Sequence, residues 1–294
     1  MWTISDLLCN FFTHKDFLPS ADRIPGTMFT PLHFVFSAVC IALVVGLCLN
    51  CRKKAHNRLR TVFAVLWGTV VLLEILKILW ESCAGTEVQI EWRGVLPLYP
   101  CSIFMYAMPF AVWGQGFIRR AACGYVCTLG LVGGTVNFVY PATILGNYSC
   151  LSFAGFHTFF YHGAIVFCAL TMLLSGYHTY TGIRQFRELL LPSLPFLSVS
   201  LLANAVNFSI GADYMFFRLN SFIFTPLGKA LPDVPGVFLV YAAYIIIHAL
   251  PYLPSYFYGC RKKQISDSLI LTKARSPYEY PPHQAPHRRS DHRF

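Results

Sequence analysis

A thiol, an imidazole and a carboxylate stand in otherwise apolar stretches of this 294-residue chain: Cys101, His162 and Glu74. A cysteine with a histidine in reach is the smallest set that performs nucleophilic catalysis. The imidazole takes the thiol proton, and the thiolate attacks an acyl carbon. A carboxylate beside the imidazole orients it and balances its charge. Lys77 follows Glu74 by three residues, so on a helix the two share a face and can pair. Further polar side chains recur in similar surroundings: His33, Asn137, His157, Asn204 and Asn207. Phe159, Phe160 and Tyr161 beside His162 make apolar surroundings suited to an acyl chain. The same residues equally suit a small-solute or ion pathway in which Glu74 holds the ion or proton.

The elements that must position these groups are membrane helices. Hydrophobic residues make up 55% of the chain and charged residues 12%, with mean hydropathy +0.52. A water-soluble domain carries about 25% charged residues, because its surface must face water. The fold expected is therefore all-α, a polytopic membrane bundle. Crossing about 30 Å of hydrocarbon takes roughly 20 apolar residues in a helix. Seven segments qualify, near 31–50, 59–80, 97–114, 117–140, 157–176, 189–209 and 236–258. The third is short and holds Pro100 and Pro109.

Lysines and arginines divide unequally between the two sides of such a bundle. One side holds 17 of them, including those at 52–60, 119–120 and in the tail, and the other holds five. The positive-inside rule then puts the C-terminus in the cytoplasm and the N-terminus outside. Three regions follow: an interfacial N-terminal segment over 1–30, a seven-helix domain over 31–260, and a disordered basic tail over 261–294. The net charge of +10 belongs to span ends and tail, so it points to headgroups and topology, not to nucleic acid. Eleven cysteines show no zinc-site spacing, and no metal or cofactor is expected. Cys83 and Cys150 both fall in outer segments, where a disulfide is one option and free thiols the other. The outer segment 210–235, rich in aromatic residues and proline, is expected to fold back as a cap. Oligomeric state leaves no mark in the sequence.

This topology gives the polar residues a common depth. At 1.5 Å per residue, Glu74 lies about 9 Å, Cys101 about 6 Å and His162 about 7 Å inside the outer boundary. His33, Asn137, Asn204 and Asn207 fall in the same layer, which predicts a polar cavity open to the outer side. His248 is the main exception.

Several segments resemble a known family. FTPLHFVF at 29–36, EILK at 74–77, LPLYPC at 96–101, GGTVNFVYP at 133–141, FFYHG at 159–163 and NFSIGADYMFF at 207–217 are its landmarks. Together they are similar to the YwaF-like integral membrane family, which includes the animal transmembrane protein 164 acyltransferases. The resemblance covers most of 27–258 and implies acyl transfer that builds phospholipids. By motif, it implies that Cys101 is the nucleophile and His162 its partner. The substrates implied are a membrane phospholipid or other acyl-chain donor. Tyr99 and Asp213 stand where bacterial relatives tend to have His and Asn. A receptor is a weaker alternative, because WGQGFIRR after the third segment lacks a DRY-like triplet and LPYLPSYFYG replaces NPxxY.

The topology is open to direct measurement. A phosphatase fused at the C-terminus is expected to be inactive and a fluorescent protein there to fold; the reverse outcome would invert the bundle.

Overall fold

The computed structural model of the chain describes residues 3–87, 90, 92–181, 185–217 and 233–259. Among these, the regular elements are helices, numbered here in chain order. They are α1 (Ile4–Cys9), α2 (Pro31–Cys51), α3 (His56–Cys83), α4 (Ile103–Trp113), α5 (Gly116–Tyr125), α6 (Leu131–Val139), α7 (Ala142–Leu145), α8 (Phe153–Leu174), α9 (Phe186–Leu190), α10 (Leu194–Ile210) and α11 (Asp233–Ala249). A π-turn over Val126–Gly130 joins α5 to α6, so the two form one bulged rod. After Leu250–Tyr252 the last helix resumes over 253–259.

Six stretches among the described residues are long and apolar enough to cross a bilayer: α2, α3, α5 through α7, α8, α9 with α10, and Val237–Gly259. The chain is a multi-pass membrane protein. The seventh expected crossing, 97–114, differs from expectation. Only Ile103–Trp113 is helical there, 11 residues, or about 16 Å of rise against a 30 Å core. Pro97 and Pro100 lack amide protons, and the chain from 96 to 102 turns irregularly before α4 begins.

Local chemistry sets the helix ends. Thr30 caps α2, accepting from the His33 N–H at 3.4 Å, with Pro31 at the first helical position. Ser152 caps α8, accepting from Gly155 N–H at 3.1 Å. Pro141 follows α6, and Gly211, left-handed at φ 67°, closes α10.

The centre of the bundle is α8, most of whose side chains are buried. It packs on α2, α3, α6 and the π-turn. Small residues permit that approach, as is usual where lipid supplies no hydrophobic drive between helices. A Cβ on Gly134 of α6 would lie 2.9 Å from Val166 Cγ2 and 3.2 Å from His162 O. By contrast α2 turns Phe34, Val35, Val39, Leu43 and Leu47 outward, apolar side chains that lipid would cover.

The N-terminal segment is stitched to one end of the bundle. Trp80 Nε1 donates to Phe12 O at 2.9 Å, Phe153 N to Phe11 O at 2.8 Å, and Cys150 N to Gly26 O at 2.8 Å. Cys83 is exposed and Cys150 buried, and both are free thiols, so the disulfide option is not taken. Of the expected outer cap, residues up to 217 pack as described below; 218–232 lie outside the described residues, as does the tail 261–294.

The connection before α8 has no room to spare. A Cβ on Gly155 would lie 2.1 Å from Ser149 O and 2.7 Å from Cys150 Cα, both backbone atoms. Gly155→Ala is expected to lower stability by about 1–3 kcal/mol, read as a fall in the thermal midpoint in detergent.

Candidate functional site

The polar residues of α3 and α8 meet where these helices cross. Glu74 lies 3.1 Å by Oε2 from His157 Nε2, and its Oε1 is 3.8 Å from Lys77 Nζ. The i,i+3 pair expected from the sequence is present, but His157 is the nearer partner. The two atoms lie close without a hydrogen bond of good geometry, so the contact is an electrostatic one. Lys77 also reaches Glu81 Oε2 at 3.6 Å, sitting between two carboxylates one turn to either side of it.

His162 is buried five residues further along α8. Its Nδ1 lies 2.7 Å from Thr158 O. A carbonyl only accepts, so Nδ1 carries the proton and the neutral ring keeps its lone pair on Nε2. That is the tautomer a general base needs. Thr158 Oγ1 stands 3.4 Å from the same nitrogen and accepts from Asn137 Nδ2, also at 3.4 Å, which ties α6 to the site through a loose relay.

Cys101 is presented by the irregular turn before α4 and is partly exposed. Tyrosine hydroxyls meet the polar backbone of this turn from several helices. Tyr125 O–H donates to Pro100 O, Tyr161 O–H to Cys101 O at 3.4 Å, and Tyr106 O–H to Pro97 O at 3.1 Å. Leu96 N–H donates to Tyr214 Oη at 3.0 Å, and that hydroxyl donates to Trp92 O at 2.5 Å. Tyr99 packs edge-on against Tyr214, centroids 5.2 Å apart. The Glu74 carboxylate is in electrostatic reach of both Cys101 and His162. Tyr161 adjoins His162 on α8 and touches the cysteine carbonyl. Glu74 and His157 thus meet at the end of the bundle under the N-terminal segment, with His162 deeper on the same helix and Tyr161 linking that helix to the Cys101 carbonyl.

Three of the residues picked from the sequence are used otherwise. His33 is fully buried; its Nε2 donates to Phe138 O at 3.1 Å and its Nδ1 accepts from Phe29 N–H at 3.2 Å. Both ring nitrogens are thereby used, and with Ser37 Oγ at 2.8 Å the ring caps the last turn of α6. It also braces Phe29, whose φ is +65°. Asn207 accepts from Tyr214 N–H at 2.8 Å and donates to Tyr214 O at 3.0 Å. Asn204 donates to Ser200 O at 3.0 Å and Tyr241 Oη at 2.6 Å. These asparagines hold protein, and Asn207 acts on the cysteine turn at one remove, through Tyr214.

Sequence reading missed the tyrosines and the π-turn. Thr128, inside that turn, donates to Gly124 O at 2.7 Å, so its oxygen receives His248 Nδ1–H at 2.6 Å. Tyr180 O–H donates to Cys127 O at 2.5 Å, satisfying a carbonyl that the bulge displaces. Tyr125 precedes the bulge directly, and its ring lies 5.4 Å from that of His248. The extra residue of the π-turn sets which way Tyr125 points, and nothing in local propensity marks it. The one available signal was the density of Tyr in segments too apolar to need them.

The family model described as the TMEM164 family matches residues 28–259. No curated protein and no solved structure matches the chain.

Removing the Tyr125 hydroxyl leaves the Pro100 carbonyl unpaired in a buried setting. Tyr125→Phe is expected to cost about 1–3 kcal/mol and to change the rate at which Cys101 is alkylated, measured by mass spectrometry on the folded protein. An unchanged alkylation rate would remove this tyrosine from the site.

Proposed function

This chain is a member of the TMEM164 family, and on that footing we propose that it is a membrane-embedded lipid acyltransferase working through Cys101. His162 Nε2 accepts the thiol proton, and the thiolate attacks the ester carbonyl of a donor phospholipid. The tetrahedral adduct collapses by breaking the ester C–O bond, and His162 returns its proton to the leaving lysolipid oxygen. The acyl group is then a thioester on Cys101. The hydroxyl of an acceptor lysolipid gives its proton to His162 and attacks that thioester. The C–S bond breaks, the new ester departs, and the thiolate recovers the proton. Each half-reaction conserves protons and needs no external oxidant or reductant.

The observation that carries this reading is the Nδ1–H···O=C bond of His162, which leaves a basic Nε2 on a buried ring in the neighbourhood of a cysteine held off-helix. Glu74 supplies the negative charge that favours a transient imidazolium, and His157 and Lys77 hold Glu74. Asn137 steadies Thr158, which steadies the base. The positive-inside count supports an extracytoplasmic position for this chemistry.

A second reading has one specific observation in its favour. Glu74, Lys77 and Glu81 form an alternating charged ladder on one face of α3, with His157 at its inner end. Buried ladders of this kind also carry protons or ions. The two readings separate in proteoliposomes given labelled donor and acceptor lipids. Acyl transfer predicts that Cys101→Ala abolishes exchange and that His162→Ala lowers it by roughly 10²–10⁴-fold. Transport predicts ion or solute flux lost in Glu74→Gln and Lys77→Met but kept in Cys101→Ala. Full exchange in both Cys101→Ala and His162→Ala would end the acyltransferase proposal.

A further inference from the structure

At the opposite end of the bundle from Cys101 lies a polar cavity of about 230 Å³. Four parts of the chain converge on it: the start of α5, the loop after α8, the α9–α10 corner and the last span. Its polar lining is Arg120, His178, Thr179, Thr181, Glu188 and Tyr252. None of these belongs to the cysteine site.

The charge at this end is one-sided. Among the described residues it holds eight Lys and Arg side chains, at 52–54, 58, 60, 119, 120 and 187, against the single carboxylate Glu188. His56 joins the start of α3 to this end, its Nε2 3.4 Å from Ser175 O and its ring packed on Tyr177, the residue beneath Arg119. A concave site with low-dielectric walls under such a field concentrates anions.

The cavity has donors to meet one. Arg120 is 60% exposed and touches Glu188 only at 3.9 Å, a long contact that leaves most of its five N–H donors for a further acceptor. Arg119 is parked over the Tyr177 ring, 4.4 Å from its centroid. His178 Nε2 and Tyr252 Oη are 2.6 Å apart. Burial, and then the Arg119 charge, depress His178 to about 4, so the ring is neutral at pH 7. A neutral imidazole and a phenol bring two hydrogens and use one between them, which leaves one N–H or O–H to donate elsewhere. Thr179 and Thr181 stand with hydroxyls 3.1 Å apart. Exposed Leu174, Phe186 and Leu190 flank the region with apolar surface, which sets it at the boundary between lipid and water.

We propose that this cavity binds a phosphate group, carried either by a phospholipid headgroup or by a soluble phosphate compound. Arg120 is the principal ligand, through the forked geometry in which guanidinium meets phosphate oxygens. The threonine hydroxyls and the His178–Tyr252 pair complete it. The site is independent of the cysteine chemistry.

The test uses the purified full chain in neutral detergent, with three probes: inorganic phosphate, dihexanoyl phosphatidate and dihexanoyl glycerol. Phosphatidate, with or without inorganic phosphate, is expected to raise the thermal midpoint, and dihexanoyl glycerol to leave it unchanged. Response to phosphatidate alone identifies a lipid headgroup; response to both identifies the phosphate itself. Arg120→Gln is expected to weaken binding about tenfold and Thr181→Val a few-fold, whereas Arg187→Gln, next to Glu188 in sequence but outside the cavity lining, stays within about twofold. Cys101→Ala is expected to bind like the wild type, whatever becomes of acyl transfer. The proposal is overturned if neither phosphate probe shifts the midpoint, if dihexanoyl glycerol shifts it equally, or if Arg187→Gln costs as much as Arg120→Gln.

Discussion

A backbone that leaves the helix inside a membrane bundle must find partners for its amides and carbonyls within the protein, since hydrocarbon offers none. The turn from 96 to 102 is such a backbone, and much of the architecture answers to it. Its prolines prevent a continuous third crossing. The polar groups left over are met by tyrosine hydroxyls from α4, α5, α8 and the segment after α10. Each phenol joins an apolar ring to the backbone with directed hydrogen bonds, one each for Tyr106, Tyr125 and Tyr161 and two for Tyr214. The turn is consequently held from all sides while its cysteine stays off-helix and partly exposed.

Several features far from the cysteine have their meaning in that arrangement. The π-turn in the fourth crossing offsets Tyr125 from the register of α6, and the Thr128–His248 contact ties the bulge to the last span. Asn207 clasps Tyr214 at both its amide and its carbonyl, so the close of α10 helps fix the approach to the turn. His33 and Ser37 close the end of α6 from α2 and leave Asn137, on the same last turns, to face Thr158. Polar side chains that look like substrate ligands in an apolar sequence thus divide into two groups. Some satisfy backbone that the fold has exposed, and others remain for chemistry. What separates them is the polar atom left over: His33 and Asn207 use theirs on backbone, whereas His162 uses Nδ1 and keeps Nε2.

The bundle is polar in a second sense. At one end the charges beside the cysteine site are sheltered and mutually compensated: Glu74, Lys77 and Glu81, with His157 at 3.1 Å from Glu74. At the other they are numerous, basic and exposed, with a carboxylate at Glu188. Buried charge of the first kind requires paired geometry to exist at all, whereas exposed charge of the second kind acts as a field. The two proposals follow that division, with a neutral reacting carbonyl at the first end and an anion at the second.

Much of this was legible in the residues alone. Apolar length and charge spacing determined an all-helical, multi-pass protein, because a helix must be about 20 apolar residues to cross and charges collect where it ends. The i,i+3 spacing of Glu74 and Lys77 determined their pairing, which depends only on helix geometry. The motifs LPLYPC and FFYHG singled out Cys101 and His162 as the candidates on which the proposed chemistry rests. What the tertiary structure alone decided is rotation and register: that His157 is Glu74's nearest partner, that His33, Asn204 and Asn207 serve the backbone, that the third crossing is half a helix, and that tyrosines hold the cysteine turn. Sequence fixes how far along its axis a side chain sits, but the angle it faces depends on which small residues let neighbouring helices close, and that is settled only when all of them pack at once.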